Sequence, residues 1–321
     1  MKKLLCTFFI IGLVSFNYSA SAAKDISITV KNKQLFTDSP PILIQGRVLV
    51  PLRAVSESLG ASVDWNQHNS TATVSKWSER ISLTVGKETA RIEVSLNGAV
   101  IVPLDVPVKT VNNRVYVPLR FVSEQYGYRV TWRDNTVSIQ SPLDSSGRAK
   151  LYKGDLSTSR QIAIGAVYGG THYEHRPLTT SHMYEDYSTA FLFPEGEALR
   201  FFTVEGNETV TLFEYKDDFL VATWQAHVQQ IRQDSIQQLL EDKLKDRTGP
   251  IPKIKKPFLY YSSGYFGDNS TEEYGRIDID AKYTQTGYER KVGGSVTDSS
   301  GTFSLILPNE KRKEIIEIPQ D

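Results

Sequence analysis

Cysteine occurs once in this chain, at Cys6, and that one position lies in a segment expected to be removed. Met1-Lys2-Lys3 is a short basic start, Leu4 through Val14 is an apolar run, and Ala20-Ser21-Ala22 offers small residues for a processing enzyme. This is the layout of a bacterial secretory signal peptide over residues 1–22. The run is shorter than the roughly 20 apolar residues that a spanning helix needs, and Cys6 stands at its beginning, whereas a lipoprotein anchor would want it at the end. Cleavage is expected after Ala22 or Ala23, giving a secreted product, extracellular or attached to the cell envelope, with no transmembrane segment. That product has no cysteine, which excludes disulfides, thiolate metal sites and cysteine nucleophiles.

An excess of one charge is also missing. Lys and Arg number 37, and so do Asp and Glu. Residues 24–141 hold 14 basic and 10 acidic side chains, and residues 142–321 hold 21 and 27. Neither half concentrates its basic residues into the stripe that nucleic-acid binding requires, so no nucleic-acid partner is expected. The mildly basic first half would suit an anionic wall polymer, or is simply a solvated surface. Catalytic patterns are absent too. There is no Gly-x-Ser-x-Gly elbow, phosphate loop or dinucleotide fingerprint. Carboxylates are plentiful in 142–321, but nothing singles out a pair of the kind that cleaves glycosidic bonds.

What the chain does have is a sentence written twice. Residues 47–65 read RVLVPLRAVSESLGASVDW and residues 114–132 read RVYVPLRFVSEQYGYRVTW, every matched position 67 apart. The β-branched run up to Val50 suits a strand. Pro51 has no N–H to donate and suits the first turn of a helix. Leu52, Val55 and Leu59 then recur at helical spacing, Gly60 can take the left-handed conformation that ends a helix, and Ala61 to Trp65 resumes an alternating pattern. The second copy repeats these devices with Pro118, Leu119, Val122, Tyr126, Gly127 and Trp132. Arg53 and Glu57 lie four apart, as do Arg120 and Glu124. Such pairs either form a binding surface or tie each helix in place, contributing tenths of a kcal/mol when exposed. Ile26–Val30 and Ile81–Val85 alternate with period two and each leads into a turn. Two strand–helix–strand units over 26–140 are therefore expected to complete one core.

The doubled VPLR…G…W pattern, together with the intervening ISLTVGKETARIEVSLNGAVIVPLDVPVKTVNN, resembles the copper amine oxidase N-terminal-like domain, a module of secreted bacterial proteins. The resemblance covers about residues 26–140 and implies a small antiparallel sheet wrapped around short helices, at the stalk or surface-facing end of an exported protein. It does not imply oxidase chemistry, because copper and the quinone cofactor belong to a different domain of those enzymes. Residues 24–141 hold one histidine, His68, which cannot make a copper site alone. The Thr-x-x-Asn-Tyr-Asp/Glu pattern that yields the quinone is absent from the chain. An amine oxidase is not expected.

Ser141 to Gly147 reads as a turn-rich linker, taken as 141–149, before a β-rich α+β domain over 150–321 with one main helix. Ala198–Val204, Thr209–Tyr215 and Phe219–Trp224 form an antiparallel meander by pattern. Val228, Ile231, Ile236, Leu239, Leu240 and Leu244 are spaced for one face of the helix, ended by Gly249-Pro250. Thr302–Leu307 and Ile315–Ile318 read as two further strands. Three of the five histidines cluster here: His172, His175 and His182, with Glu174, Glu185 and Asp186 beside them. Zinc would accept imidazoles with a carboxylate; equally, this is a polar binding loop or a set of surface histidines. Tyr168, Tyr173, Tyr184 and Tyr187 surround the cluster, and Tyr260, Tyr261, Tyr265 and Tyr274 recur with nearby glycines. Their flat faces suit sugars, interfaces or half-buried strands.

Two functions from different classes follow. The first is an exported, non-catalytic protein whose stalk-like module displays or docks the C-terminal domain at the envelope, with a wall polymer or another envelope protein as partner and no cofactor. The second is a metal-assisted hydrolase using His172, His175 and His182 with Glu174 or Glu185 as base, and zinc enters only there.

Overall fold

The computed structural model of the protein describes residues 26–94, 98–180, 186–231 and 234–319. The expected leader lies outside them. The doubled sentence folds as its residues require. Strand Arg47–Pro51 runs into helix Leu52–Ser58, and strand Arg114–Pro118 into helix Leu119–Gln125. Pro51 and Pro118 share φ of −58° and sit at the N-cap of each helix. Each helix ends in a Schellman motif. The N–H groups of Gly60 and Ala61 return to the carbonyls of Glu57 and Ser56, and those of Gly127 and Tyr128 to Glu124 and Ser123. Gly60 and Gly127 take φ of +75° and +79°.

The two copies meet across a pseudo-two-fold axis. Val50 pairs with Val117, its own equivalent 67 residues on, and the flanking pairs Leu49–Pro118 and Pro51–Tyr116 mirror one another. Hairpin partners Ile42–Ile44 and Lys109–Val111 complete a four-stranded sheet. The rest of the first copy is a five-stranded meander, Ser62–Asn66, Thr71–Lys76, Glu79–Thr84, Thr89–Val94 and Gly98–Pro103. The second copy has only Arg129–Arg133 and Thr136–Gln140, and strand Ser27–Val30 returns to pair parallel with the latter. Thus the strand that precedes the first copy in sequence closes the second in space, burying Ile28 and Val30 in the common core.

Residues 186–301 carry a long antiparallel sheet in which the meander Arg200–Glu205, Thr209–Lys216 and Phe219–Val228, as the pattern required, lies to one side of the central strand Asp186–Pro194. Hairpins Phe258–Phe266/Asn269–Ile277 and Tyr283–Val292/Ser295–Gly301 extend it outward. Side chains alternate between two cores: Phe201 and Phe213 face one, Phe202 and Leu212 the other. Among the described residues no helix is long and apolar enough to cross a membrane.

Three expectations are corrected. The main helix of this half is Leu156–Gly169, not the Val228–Leu244 stretch. Val228 ends a strand, Leu244 begins another, and among the described residues between them only Ser235–Leu240 is helical. The apolar spacing there came from a strand, a turn and a short helix packing on one core. The tail forms no strands over 302–319. It is instead an irregular strap: Arg160 and Glu310 pair at 2.6 Å with both side chains fully buried, and Arg312 donates to the carbonyls of Gly154 and Leu151. Burial alone would raise the Glu310 carboxyl, but the guanidinium and the N–H groups of Gly196 and Leu307 outweigh it and hold it below the usual carboxylate range. Finally, the stretch read as a linker is folded. Asp144 caps helix Ser145–Arg148 and the turn continues as the π-helical Ala149–Lys153, where Leu151 and Tyr152, just past that stretch, are buried.

The two halves share a core. Phe219 and Val221 of the C-terminal sheet lie within the apolar cluster of the repeat module. A Cβ on Gly127 would stand 3.1 Å from the Phe219 ring, whereas one on Gly60 would meet nothing within 4 Å. Gly60→Ala is therefore expected to cost about 1 kcal/mol, the left-handed backbone penalty alone, and Gly127→Ala distinctly more, by urea denaturation. Equal costs for the two would contradict the close approach of Phe219.

Candidate functional site

The histidine loop reaches the module and joins it. His172 and Tyr173 form a two-residue strand parallel to Val221–Ala222. The His172 ring stacks on Trp77, centroids 3.9 Å apart, and its Nδ1 lies 2.7 Å from Glu79 Oε1. Its Nε2 faces Gly127. Ser78 N–H donates to the Tyr173 carbonyl at 2.8 Å. Phe219 meets Trp77 and Tyr128 edge-on, and Lys31 pairs with Asp217 across the junction.

At the centre sits Lys76. Its ammonium donates to the Leu59 carbonyl and the Tyr128 hydroxyl, each at 2.6 Å, and lies 4.2 Å from the Trp77 centroid and 5.2 Å from that of Phe219. Two hydrogen bonds and three aromatic faces compensate a cation that would otherwise be costly to bury. Burial still pushes its pKa down from 10.5 to about 8. Burial likewise pushes the Tyr126 and Tyr128 hydroxyls well above their usual range, helped by Glu79 and by Asp217 respectively.

The other residues singled out from sequence separate. Glu174 pairs with Lys216 at 2.6 Å, and His175 lies against Gly249. His182, Tyr184 and Glu185 lie outside the described residues, and of Tyr187 only the backbone is described, paired with Tyr265. Among the described residues no three His, Cys, Asp or Glu side chains are grouped to hold a metal. Tyr168 stands at the end of helix Leu156–Gly169, edge-on to Phe191, while Tyr173 packs on the C-terminal core. Tyr261 and Tyr274 meet at a tilt across the hairpin, centroids 5.0 Å apart, and Tyr260 meets Tyr283 edge-on.

The repeat places a second feature twice. Arg53, Glu57 and Trp65 of the first copy line a cleft of about 970 Å³ with Asp38 and Arg114. Their equivalents Arg120, Glu124 and Trp132 line a cleft of about 370 Å³ with Asp105 and Arg47. Each cleft thus takes its helix and Trp from one copy and an arginine from the other. Arg114 donates to Asp38 and Arg47 to Asp105, at 2.5 and 2.6 Å, while Arg53–Glu57 and Arg120–Glu124 stand at 3.8 and 3.6 Å. The second cleft is smaller because Phe121 and Val137 stand where the first has Ala54 and Ala72. Asp38 and Asp105 were missed from sequence although they too lie 67 apart, because the segments around them have diverged. Lys76, Trp77 and Glu79 carried no local signal at all.

A doubled strand–helix–strand module fused to a long antiparallel sheet defines the class of protein. Residues 29–141 match the family model for the copper amine oxidase N-terminal domain, as the doubled pattern implied, and no family model matches the C-terminal half. A curated protein of Brevibacillus choshinensis described as "Protease inhibitor" is 26% identical over 160 residues, 49% of this chain and 46% of that protein. The match therefore spans less than half of the relative's length.

The Lys76 cage gives stability a pH dependence of known sign. From pH 8 to about 10 the unfolded chain keeps a proton on Lys76 that the folded chain has released, so stability rises with pH across that window. Near and above pH 10 the buried tyrosines, protonated in the fold and ionising once unfolded, turn the trend downward. Lys76→Met should flatten the rise below pH 10 in urea midpoints; parallel profiles for the two proteins would contradict the cage.

Proposed function

We propose that this is an exported, non-catalytic protein whose repeat module docks at the cell envelope and holds the C-terminal sheet in a fixed orientation. The observation that carries this reading is the place of His172. The chain's one concentration of ligand-type side chains has its first member enclosed by Glu79, Trp77 and Gly127, where it fastens two halves together. An imidazole so engaged serves cohesion, and the shared core around Phe219 gives the display its rigidity. Export and envelope attachment rest on the leader pattern of residues 1–22.

The relative's description supports a second reading, protease inhibition. Strand Ser295–Gly301 ends the long sheet and is exposed along its whole length, and an exposed edge can add to the extended backbone of a partner. Its composition, Ser-Val-Thr-Asp-Ser-Ser-Gly, is polar and resembles a protected edge more than an inhibitory one, so the display reading is preferred.

The test is co-sedimentation of the mature chain, residues 24–321, with purified cell-wall sacculi, with assay of released sugar and peptide. Retention without degradation is the expected result. Degradation of the wall, or stoichiometric zinc lost on His172→Ala, would replace this reading with the hydrolase, and potent inhibition of a serine protease would replace it with the inhibitor.

A further inference from the structure

We propose that the two equivalent clefts of the repeat module are binding sites for neutral pyranose units, which on the reading above belong to an envelope glycan. The argument starts from which positions the two copies share. Twelve of the nineteen positions of the doubled sentence are identical. Packing alone would preserve buried positions and let exposed ones drift. Yet Leu49, Leu59 and Ala61, all buried, became Tyr116, Tyr126 and Tyr128, also buried. Arg53, Glu57 and Trp65 stayed identical in Arg120, Glu124 and Trp132, although the Trp side chains are 40% and 45% exposed. Asp38 and Asp105 add a matched carboxylate in segments that otherwise share little. At 40% and 45% exposure each indole keeps a large open face over its cleft, and a surface requirement shared by both clefts accounts for that.

The chemistry of the lining points to the ligand. Each cleft holds two guanidinium groups and two carboxylates, a balanced set that gives an ion of either sign no net attraction. Neighbouring guanidinium and carboxylate groups present donors and acceptors side by side, an arrangement that suits vicinal hydroxyls. The exposed indole supplies a flat apolar face with a polar edge, and in the first cleft Trp65 Nε1 donates to Gln67 at 2.8 Å, which fixes that edge. A sugar ring matches this lining, with one C–H face and a rim of neutral hydroxyls. The first cleft, with Ala54 and Ala72, has room for a longer stretch of chain than the second, so it is expected to be the stronger site. The cavity of about 440 Å³ at the junction of the two halves is a weaker candidate, because no tryptophan lines it and the repeat does not duplicate it.

The test titrates the mature chain with a β-1,4-linked N-acetylglucosamine hexamer, by calorimetry and tryptophan fluorescence. Saturable binding is expected. Trp65→Ala should weaken it by about tenfold or more, Trp132→Ala less, and the double variant should abolish it. Arg53→Ala with Arg120→Ala repeats the test at exposed side chains that cannot unfold the protein, and should weaken binding in the same direction. No binding by the unaltered chain, or binding that survives both double variants, would overturn the proposal. Sacculi separate this from the function it rests on. Retention that persists in the Trp double variant removes the clefts and leaves envelope docking standing, whereas hexamer binding without sacculus retention does the reverse. Competition by wall stem peptide and not by the hexamer would assign the clefts to an extended peptide instead.

Discussion

Alternation along one strand governs the relation between the halves. In Phe219–Val228 the side chains of Leu220 and Ala222 enter the C-terminal core, while Phe219 and Val221 enter the core of the repeat module. A strand cannot slip by one residue without exchanging those sets, so the same register that closes the C-terminal sheet also seats the module. The neighbouring His172–Tyr173 strand, parallel to Val221–Ala222, brings the imidazole onto Trp77 and Glu79. Burial of Phe219 against Trp77 and Tyr128 contributes on the order of 3 kcal/mol by comparison with large-to-small core substitutions. The Lys31–Asp217 pair at the rim contributes far less because it is partly exposed.

This union shapes the functional reading. A stalk joined through a flexible linker would leave its cargo free to swing, but here the expected linker turns helical at Ser145 and runs without a break into the buried Leu151 and Tyr152 of the C-terminal half. The C-terminal strap adds a second fastening within its own half through the buried Arg160–Glu310 pair, an arrangement whose energy comes from leaving neither charge alone. Binding chemistry then falls to the surface of the module. Its two clefts are built by exchange, each lined by residues of both copies, so neither copy alone forms a complete site.

The sequence disclosed what local devices determine. Proline before the helix, apolar residues at helical spacing and glycine after it act within a dozen residues, and both copies fold as those devices dictate. The meander from Arg200 to Val228 was readable for the same reason, since turn residues separate alternating runs. Long-range assembly was not. The spacing from Val228 to Leu244 matched one helix only because a strand end, a turn and a short helix bury their apolar residues together. Helix Leu156–Gly169 escaped notice because serines, a threonine and Gly165 weaken its helical signature, although Asp155 caps it through Thr158. The histidines drew attention as a cluster in sequence, while the partner that explains His172 lies 93 residues away at Glu79. The clefts were half legible: Arg53, Glu57 and Trp65 stood out as repeated, but their union with Asp38 and Arg114 of other strands needed the fold.

The central claim is that module and C-terminal sheet form one cooperative unit. Three of the four tryptophans, Trp65, Trp77 and Trp132, belong to the module, and the long sheet dominates the backbone signal. Thermal unfolding of the mature chain, followed together by tryptophan fluorescence and far-ultraviolet circular dichroism, tests the claim most directly. Coincident curves with a calorimetric enthalpy equal to the van't Hoff value are expected. Two separated transitions, with the tryptophans reporting one and the sheet the other, would contradict it.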